Sequence, residues 1–522
     1  MPVARSTPVS YDRLPLVIEP DNRDTTTNKD ARLVNAYMET IKTLTRQEVQ
    51  IYKRPGTLFS SQPSGGTAAG QGMYNWLGNI YAIFGGTLYK NGVSKGSVDT
   101  TNGVYRFSSN LGATPKLQLG NGVKAYNYDD ANGLVQIAST GTVVNAGSFL
   151  VGSTYIIAVV GTTDFTIIGA ASNTVGISFT ATGAGAGSGN ATVSGFPAAF
   201  VKGWAFLDQT TYVMDSAANI DGSGLNDTVN WTPTNTLQAQ IEPDGGVALA
   251  KQLVNAIALK QWTTEVFYDA GNALGSPLGR IPGAKANFGC LSADSVQDMS
   301  GVLVWLATTR SREVSVVMMD NLKVQVVSTK PVARLLSTID VTTIFSWQLA
   351  IGQHQFYGLT SKVGNLTLVF DMTERMWSQW TDSNGNYFPM VAAAVDASGN
   401  HLFQHETNGK IYTTLQSMTN DDGVAITTDI YTPNYDGGTR LENTLYQIEF
   451  IGDQVAGSTI WVRWSDDDYK TWNGFKPVDM SLKHPIISDC GSFYVRAHHF
   501  RHYSNTTLRL QAVELQQGVG TL

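Results

Sequence analysis

The feature that most constrains this chain is its grammar of short strands folded back on themselves. Asn79 to Asn91 (NIYAIFGGTLYKN) places an apolar run, a Gly85-Gly86 turn and a second short run in thirteen residues. The pattern returns at Asn400 to Leu415 around Asn408-Gly409, and more loosely at Leu303 to Met318 and Asn365 to Trp380. Strands of this length around tight turns are β-hairpins. Many hairpins in series predict a propeller or a sandwich rather than a helical layer. Only 15% of residues are charged, and 52 of 522 are Gly. Few charges with many turn formers and β-branched residues give an all-β fold.

Changes in texture divide the chain. Residues 1–60 are polar and irregular, with one helical or extended candidate over Asp30 to Glu39, and form an N-terminal arm or platform. Residues 61–141 and 197–420 carry the hairpin series and are expected to form a β-propeller core. Between them, 142–196 lose most aromatics in favour of Gly, Ala, Thr and Ser. Readable strands over Ser153 to Val160 and Thr174 to Thr182 make this piece a small inserted β-module, since long surface insertions cost little closure entropy. Residues 421–522 alternate as strands do and predict a C-terminal β-sandwich.

Candidate chemistry is sparse. Ser465, Asp467, Thr471 and Trp472 approximate an Asp-box, a hairpin turn in which Ser and Asp cap backbone amides over a Trp; Tyr469 stands where the box has Gly. Asp466, Asp467 and Asp468 lack the spacing of a calcium loop. The seven histidines are His354, His401, His405, His484, His498, His499 and His502. His401 and His405 lie on a strand pattern, where that spacing separates them by about 13 Å, too far for one ion. Cys290 and Cys490 are too few for a disulfide framework or a zinc cluster and read as buried thiols. No nucleotide loop, nucleophile elbow or catalytic triad is visible. Trp377 and Trp380 cannot share a strand face and read as packing residues. Catalytic, cofactor-binding and metal sites are therefore expected to be absent, with no small-molecule substrate.

The net charge of −7 argues against a broad nucleic-acid-binding surface, which needs clustered Lys and Arg. The opening residues lack a signal-peptide core, and no apolar stretch reaches the length of a membrane helix. Synthesis in the cytoplasm without membrane insertion is expected.

Ala31-Arg32-Leu33-Val34-Asn35-Ala36-Tyr37-Met38-Glu39, preceded by Lys29-Asp30 and followed by Lys53-Arg54-Pro55-Gly56, resembles the opening of the packaged-DNA stabilisation family, the tail nozzle or tail hub proteins of podovirus-type bacteriophages. That family commonly shows Arg-Leu-x-Asn-x-Tyr-x-Glu and then Arg-Pro-Gly. The matching positions are Arg32, Leu33, Asn35, Tyr37, Glu39, Arg54, Pro55 and Gly56. Gln261 to Tyr268, Ile281 to Ala284 with Gly289-Cys290, and Val302 to Leu306 agree in order, so the resemblance covers most of the chain outside 142–196. The inserted piece is similar to a module scattered through phage structural proteins. The resemblance implies a virion tail protein assembled in the host bacterial cytoplasm. It implies a homo-hexamer below the head-tail adaptor ring, with tail fibre, spike or needle proteins beside or below and genomic double-stranded DNA in the lumen. A carbohydrate-binding or sialidase-like propeller is the alternative, resting on the Asp-box-like turn and the aromatics.

Overall fold

A computed structural model describes residues 9–16, 31–42, 47–139, 141–193, 195–272 and 274–519. Lys29 and Asp30 of the N-terminal motif lie outside these residues. The chain divides into two compact units, Gln62–Val327 with Glu406–Gly409, and Met1–Ser61 with Ser328–His405 and Lys410–Leu522. The fold is all-β, as the hairpin grammar requires.

The first unit is a run of four-stranded antiparallel meanders, the building block of a propeller blade. Gly70–Trp76, Asn79–Phe84, Thr87–Lys90 and Val93–Ser97 form the first. Arg106–Ser109, Leu117–Gly120, Ala125–Asp129 and Gly133–Gln136 form the second. The third runs from Ala205–Leu207 to Asp227–Gln238, the fourth from Gly246–Gln252 to Leu278–Arg280, and the fifth from Gln297–Met299 to Lys323–Val326. Tight turns enforce the register. Lys90 pairs with Val93 across Asn91-Gly92, whose φ angles of 47° and 81° match the right-handed strand twist. Neighbouring meanders bury shared aliphatic layers, such as Ile257, Leu259 and Val266 against Leu303, Trp305 and Val317.

The inserted piece stands apart in strand order. Val143–Asn145, Asn190–Val193, Thr154–Val159 and Ser178–Thr180 form its sheet in that spatial sequence. Phe149, Tyr155, Phe165 and Phe179 pack ring against ring, with centroids 5.0 Å apart for Phe149–Tyr155 and 5.4 Å for Phe165–Phe179. These aromatics form a core of the module's own. Its two ends meet, because Val143 pairs with Thr192 and Gly141 N donates to Val193 O at 3.0 Å.

The second unit contains a sandwich. One sheet holds Val9–Arg13, Ala36–Lys42, Gln47–Lys53, Asn443–Gly452 and Arg509–Val519; the facing sheet includes Arg32–Val34, Thr428–Tyr431, Thr459–Ser465 and Ala497–His502. Their common core joins Leu33, Met38 and Ile51 to Ile448, Phe450, Val462, Phe500 and Leu515. The described residues among the first sixty, read from sequence as a separate arm, are thus strands of the C-terminal sheets. Periodicity within a segment does not reveal a pairing partner more than 400 residues away. The candidate over Asp30 to Glu39 is extended where described, broken at Asn35, whose φ is 54°. The antiparallel strands from Ile344–Ile351 to Met376–Gln379 extend the facing sheet, since Gln379 pairs in parallel with Val34; a second array, Met390–Val395 to Ile411–Leu415, and the helix Lys330–Thr338 also belong to this unit.

Replacing residues 143–193 by a short Gly/Ser linker is expected to leave a soluble protein with a cooperative thermal transition. Changing loop length costs only ~0.6 kcal/mol per doubling, and the aromatic core that departs belongs to the module. Calorimetry beside circular dichroism of the deleted and intact proteins checks this; aggregation would show the module to be integral.

Candidate functional site

The N-terminal motif folds into one buried knot. Asn35, between two strands, is held in the left-handed region that Asn tolerates better than most residues. Its Nδ2 donates to Thr381 Oγ1 at 2.7 Å and Thr427 O at 2.8 Å, and its Oδ1 accepts from Thr381 N at 2.8 Å and Arg54 Nε at 2.9 Å. Arg54, 1% exposed, spends all of its donors. Nη1 reaches Pro55 O at 3.0 Å and Asp421 Oδ1 at 3.1 Å, and Nη2 reaches Thr381 O at 3.0 Å and Asp421 Oδ2 at 2.5 Å. The guanidinium also lies 4.8 Å from the Phe388 ring centre. A buried charge is tolerated only when paired and fully hydrogen-bonded, and the planar fork of Arg fits this geometry where Lys does not.

The other motif residues surround this pair. Arg32 lies over the Tyr431 ring at 3.8 Å, and Leu33 enters the sandwich core. Tyr37 stacks on Tyr52 at 5.5 Å and meets His354 edge-on at 4.8 Å; burial pushes its hydroxyl up to about 12. Glu39 pairs with Gln50 in the strand register. Gly56 leaves no room for a side chain, since a Cβ there would fall 2.0 Å from the Asn420 carbonyl oxygen. From Gly56 the chain runs as strand Gly56–Ser61 between Ile411–Leu415 and Asn420–Asp421, within a six-stranded sheet.

The Asp-box-like turn closes as such a turn. Ser465 Oγ donates to Asp467 Oδ1 at 2.8 Å, and Asp467 accepts from Thr471 N at 2.8 Å and Thr471 Oγ1 at 2.6 Å. These bonds, the Thr471 hydroxyl foremost, hold the Asp467 carboxyl down at about 2. Trp472 packs 5.9 Å from Tyr431 and 5.7 Å from His499. Tyr469 has φ 62°, the conformation Gly supplies elsewhere, and is retained through burial and its hydroxyl bond to Thr432 O at 2.6 Å.

The histidines do not assemble into a site. Among the described residues, no group of three or more His, Cys, Asp or Glu converges where an ion could sit. His401 and His405 stand at opposite ends of one strand. Burial pushes His498 and His502 down to about 3, and His499 to about 4 despite its 2.8 Å contact with Asp429. Both thiols are buried and free, and burial raises Cys290 to about 12 and Cys490 to about 11. Trp377 and Trp380 are core residues.

Sequence reasoning missed a second buried ionic cluster. Lys260 Nζ lies 2.7 Å from Asp244 Oδ1 and 2.7 Å from Glu265 Oε1, all three side chains fully enclosed. Asp244 accepts from Trp262 N and Thr263 N, each at 3.0 Å, and Arg280 Nε stands 3.1 Å from Glu265. The cluster clamps the 239–245 connection onto the fourth meander. Its trace in the sequence is a Lys and a Glu at the inner ends of two apolar runs, Ala256 to Leu259 and Val266 to Phe267. A cavity of about 210 Å³ between the inserted module and the second meander is lined by Lys116, Asn127, Asp129, Phe149 and Val229.

Substituting Arg54 by Met or Lys is expected to cost ~3–5 kcal/mol, because Asp421 and Asn35 lose their partner in a buried setting. Gly56→Ala is expected to cost about 3 kcal/mol by overpacking against backbone. Urea denaturation of each variant measures both.

The buried histidines set a pH dependence. Their folded values lie below the unfolded ~6.5, so the unfolded chain takes up protons first as pH falls. Stability is whole above pH ~6.5 and declines toward pH 4 by as much as ~1.4 kcal/mol per pH unit for each group. His354, raised overall by Asp371 at 2.6 Å although burial opposes it, contributes in the other sense, with stability present at low pH and lost as pH rises through its folded value. His498→Leu is expected to flatten the slope between pH 6.5 and 4, measured by denaturation at stepped pH.

A family model described as bacteriophage P22 Gp10, a β-propeller of the phage stabilisation type, matches residues 14–420. No curated protein matches the sequence. Among solved structures, the extracellular domain of a protein described as a hybrid two-component system from B. thetaiotaomicron is 8% identical, with a TM-score of 0.37 over 83% of this chain. The alignment spans 47% of that protein. BamB from Moraxella catarrhalis is 8% identical over 78% of this chain and 98% of its own, with a TM-score of 0.35. The computationally designed Ika8 protein is 10% identical over 69% and 98%, with a TM-score of 0.34. Likenesses at these scores carry no argument about function.

Proposed function

Because the chain belongs to the phage stabilisation family described by the bacteriophage P22 Gp10 β-propeller, and is therefore a structural bacteriophage protein of the tail, we propose that it is a tail nozzle subunit. Six copies form a ring below the head-tail adaptor, retain packaged DNA and supply its exit channel, with fibre, spike or needle proteins attached beside or below. On this reading 61–141 and 197–420 form the propeller core, 142–196 decorate it, and 421–522 form the sandwich together with the strands that precede Arg54. Assembly takes place in the host cytoplasm. The observation that carries the reading is the family match from residue 14 to 420, which takes in Asn35, Arg54 and Thr381 of the buried knot.

Physical properties support it. A channel that releases DNA must not grip it, and a net charge of −7 avoids the tight salt-dependent binding of a basic surface. A closed ring of identical subunits leaves no open ends to polymerise. Among the described residues, no helix is long and apolar enough to cross a membrane.

No observation favours the carbohydrate reading. Ser465, Asp467 and Thr471 are engaged in their own turn, and Trp377 and Trp380 are buried. No turnover of glycosides, peptides or nucleotides is proposed.

Electron microscopy of assembled tails is expected to show six copies around the axis, and particles lacking the protein to lose their DNA after packaging. A different copy number, or full genome retention without it, would defeat the nozzle assignment.

A further inference from the structure

Several turns of the first unit carry residues that neither the turn nor the core calls for. In an antiparallel four-stranded meander the first and third turns lie at one end of the sheet and the second at the other. Contacts between successive meanders bring these same ends together. Lys90 Nζ meets Asp130 at 2.6 Å, third turn to third turn. Asn110 Nδ2 donates to Asn226 O at 2.9 Å, and within the third meander Asn226 N ties third turn to first by donating to Gln209 O at 2.6 Å. Lys251 lies 5.9 Å from the Phe206 ring centre, and Gln252 Nε2 donates to Gly301 O at 3.2 Å and Met319 O at 2.6 Å.

Exposed apolar side chains gather at this end. Leu77, Leu111, Leu253 and Val254 stand in first turns, and Leu225 and Leu274 in third turns, with exposures from 55% at Leu253 to 91% at Leu274. Among the described residues, the second turns of the same meanders expose one large hydrophobic, Val123.

Backbone conformation is an independent sign. Leu77 and Leu253 have φ of 50° and 51° in two-residue turns, a region where a branched side chain is disfavoured and Asn, Asp or Gly is the usual occupant. Sister turns of the same length use Asn91-Gly92, Asp208-Gln209 and Ser300-Gly301. A leucine that is both disfavoured by its backbone and exposed to water contributes nothing to folding. Such residues are expected where another surface covers them.

Charge says what kind of surface. Beyond the Lys90–Asp130 and Lys116–Asp129 pairs, the turn ends carry Asp208, Asp227, Asp269, Asp298 and Asp320 against Lys251 and Lys323. An acidic rim repels an anionic bilayer and repels its own copy face to face. We propose that this end of the first unit docks a different protein of the virion, one presenting apolar sockets within a Lys- and Arg-rich border. The identity of the partner as a virion protein rests on the tail assignment; the surface itself does not.

The test combines Leu77→Asn, Leu253→Asn and Leu274→Ser in one chain and measures its attachment to particles assembled without the protein, by sedimentation. Asn relieves the backbone at the first two positions, so the melting temperature is expected to hold or rise while attachment falls at least tenfold. Undiminished attachment would overturn the proposal. A photocrosslinker placed through Leu274→Cys in the otherwise unaltered protein, on whole particles, is expected to capture a basic peptide of another virion protein. Capture of a second copy of this chain overturns it, as does leucine-dependent binding to phosphatidylcholine–phosphatidylglycerol vesicles. Failure of the unaltered protein to attach at all would sink the tail assignment as well, which separates the two.

Discussion

The Arg54 guanidinium is the constraint on which the second unit turns. It is a full charge taken out of water, and its cost is offset only because every one of its donors finds an acceptor. Those acceptors come from residues 35, 55, 381 and 421, so satisfying one side chain brings together segments far apart in the chain. Asn35 repeats the logic with its amide, adding Thr427. Neither residue can be replaced by a near relative: Lys lacks the planar fork, and few residues accept the backbone angle of Asn35 while bonding four ways.

Around that point the packing follows. The strands before Arg54 complete the two sheets of the sandwich, and the strand after Gly56 completes an array with Ile411–Leu415. The absent side chain at Gly56 lets the chain pass against the Asn420 carbonyl at the moment of that change of partner. In the first unit the Lys260, Asp244 and Glu265 cluster has a comparable place, holding a connection against the buried end of a meander. In the first cluster every donor of Arg54 is hydrogen-bonded, and in the second Lys260 and Arg280 balance Asp244 and Glu265. They read as fasteners, in keeping with a structural phage protein.

How much was legible can be argued from particular residues. The hairpins over Asn79 to Asn91 and Leu303 to Met318 were visible because alternation and a tight turn are local properties. Within 421–522, whose alternation predicts strands, the chain breaks between Ser492–Phe493 and Ala497–His502, with Arg496 buried between Trp464 and Phe493. A buried Arg is invisible to hydropathy, which scores it as surface. The helix Lys330–Thr338 was missed because nine residues among strands give little periodic signal. The motif residues were legible as a family resemblance, but their chemistry was not, since Asp421 and Thr381 carry no mark linking them to Arg54.

What the sequence determined by itself is the class of structure and the places where the chain reverses. Alternation, turn residues and low charge are properties of neighbours along the chain, and they require hairpins stacked through apolar faces whatever the final arrangement. The module at 142–196 was also set locally, since its aromatics fall within a single stretch long enough to bury them. Only the tertiary structure decided which strands share a sheet across hundreds of residues, which charges are buried, and which leucines remain in water. Those outcomes depend on the free energy of desolvating a group at one specific place. That quantity is defined by the atoms around it in space and not by its neighbours in sequence.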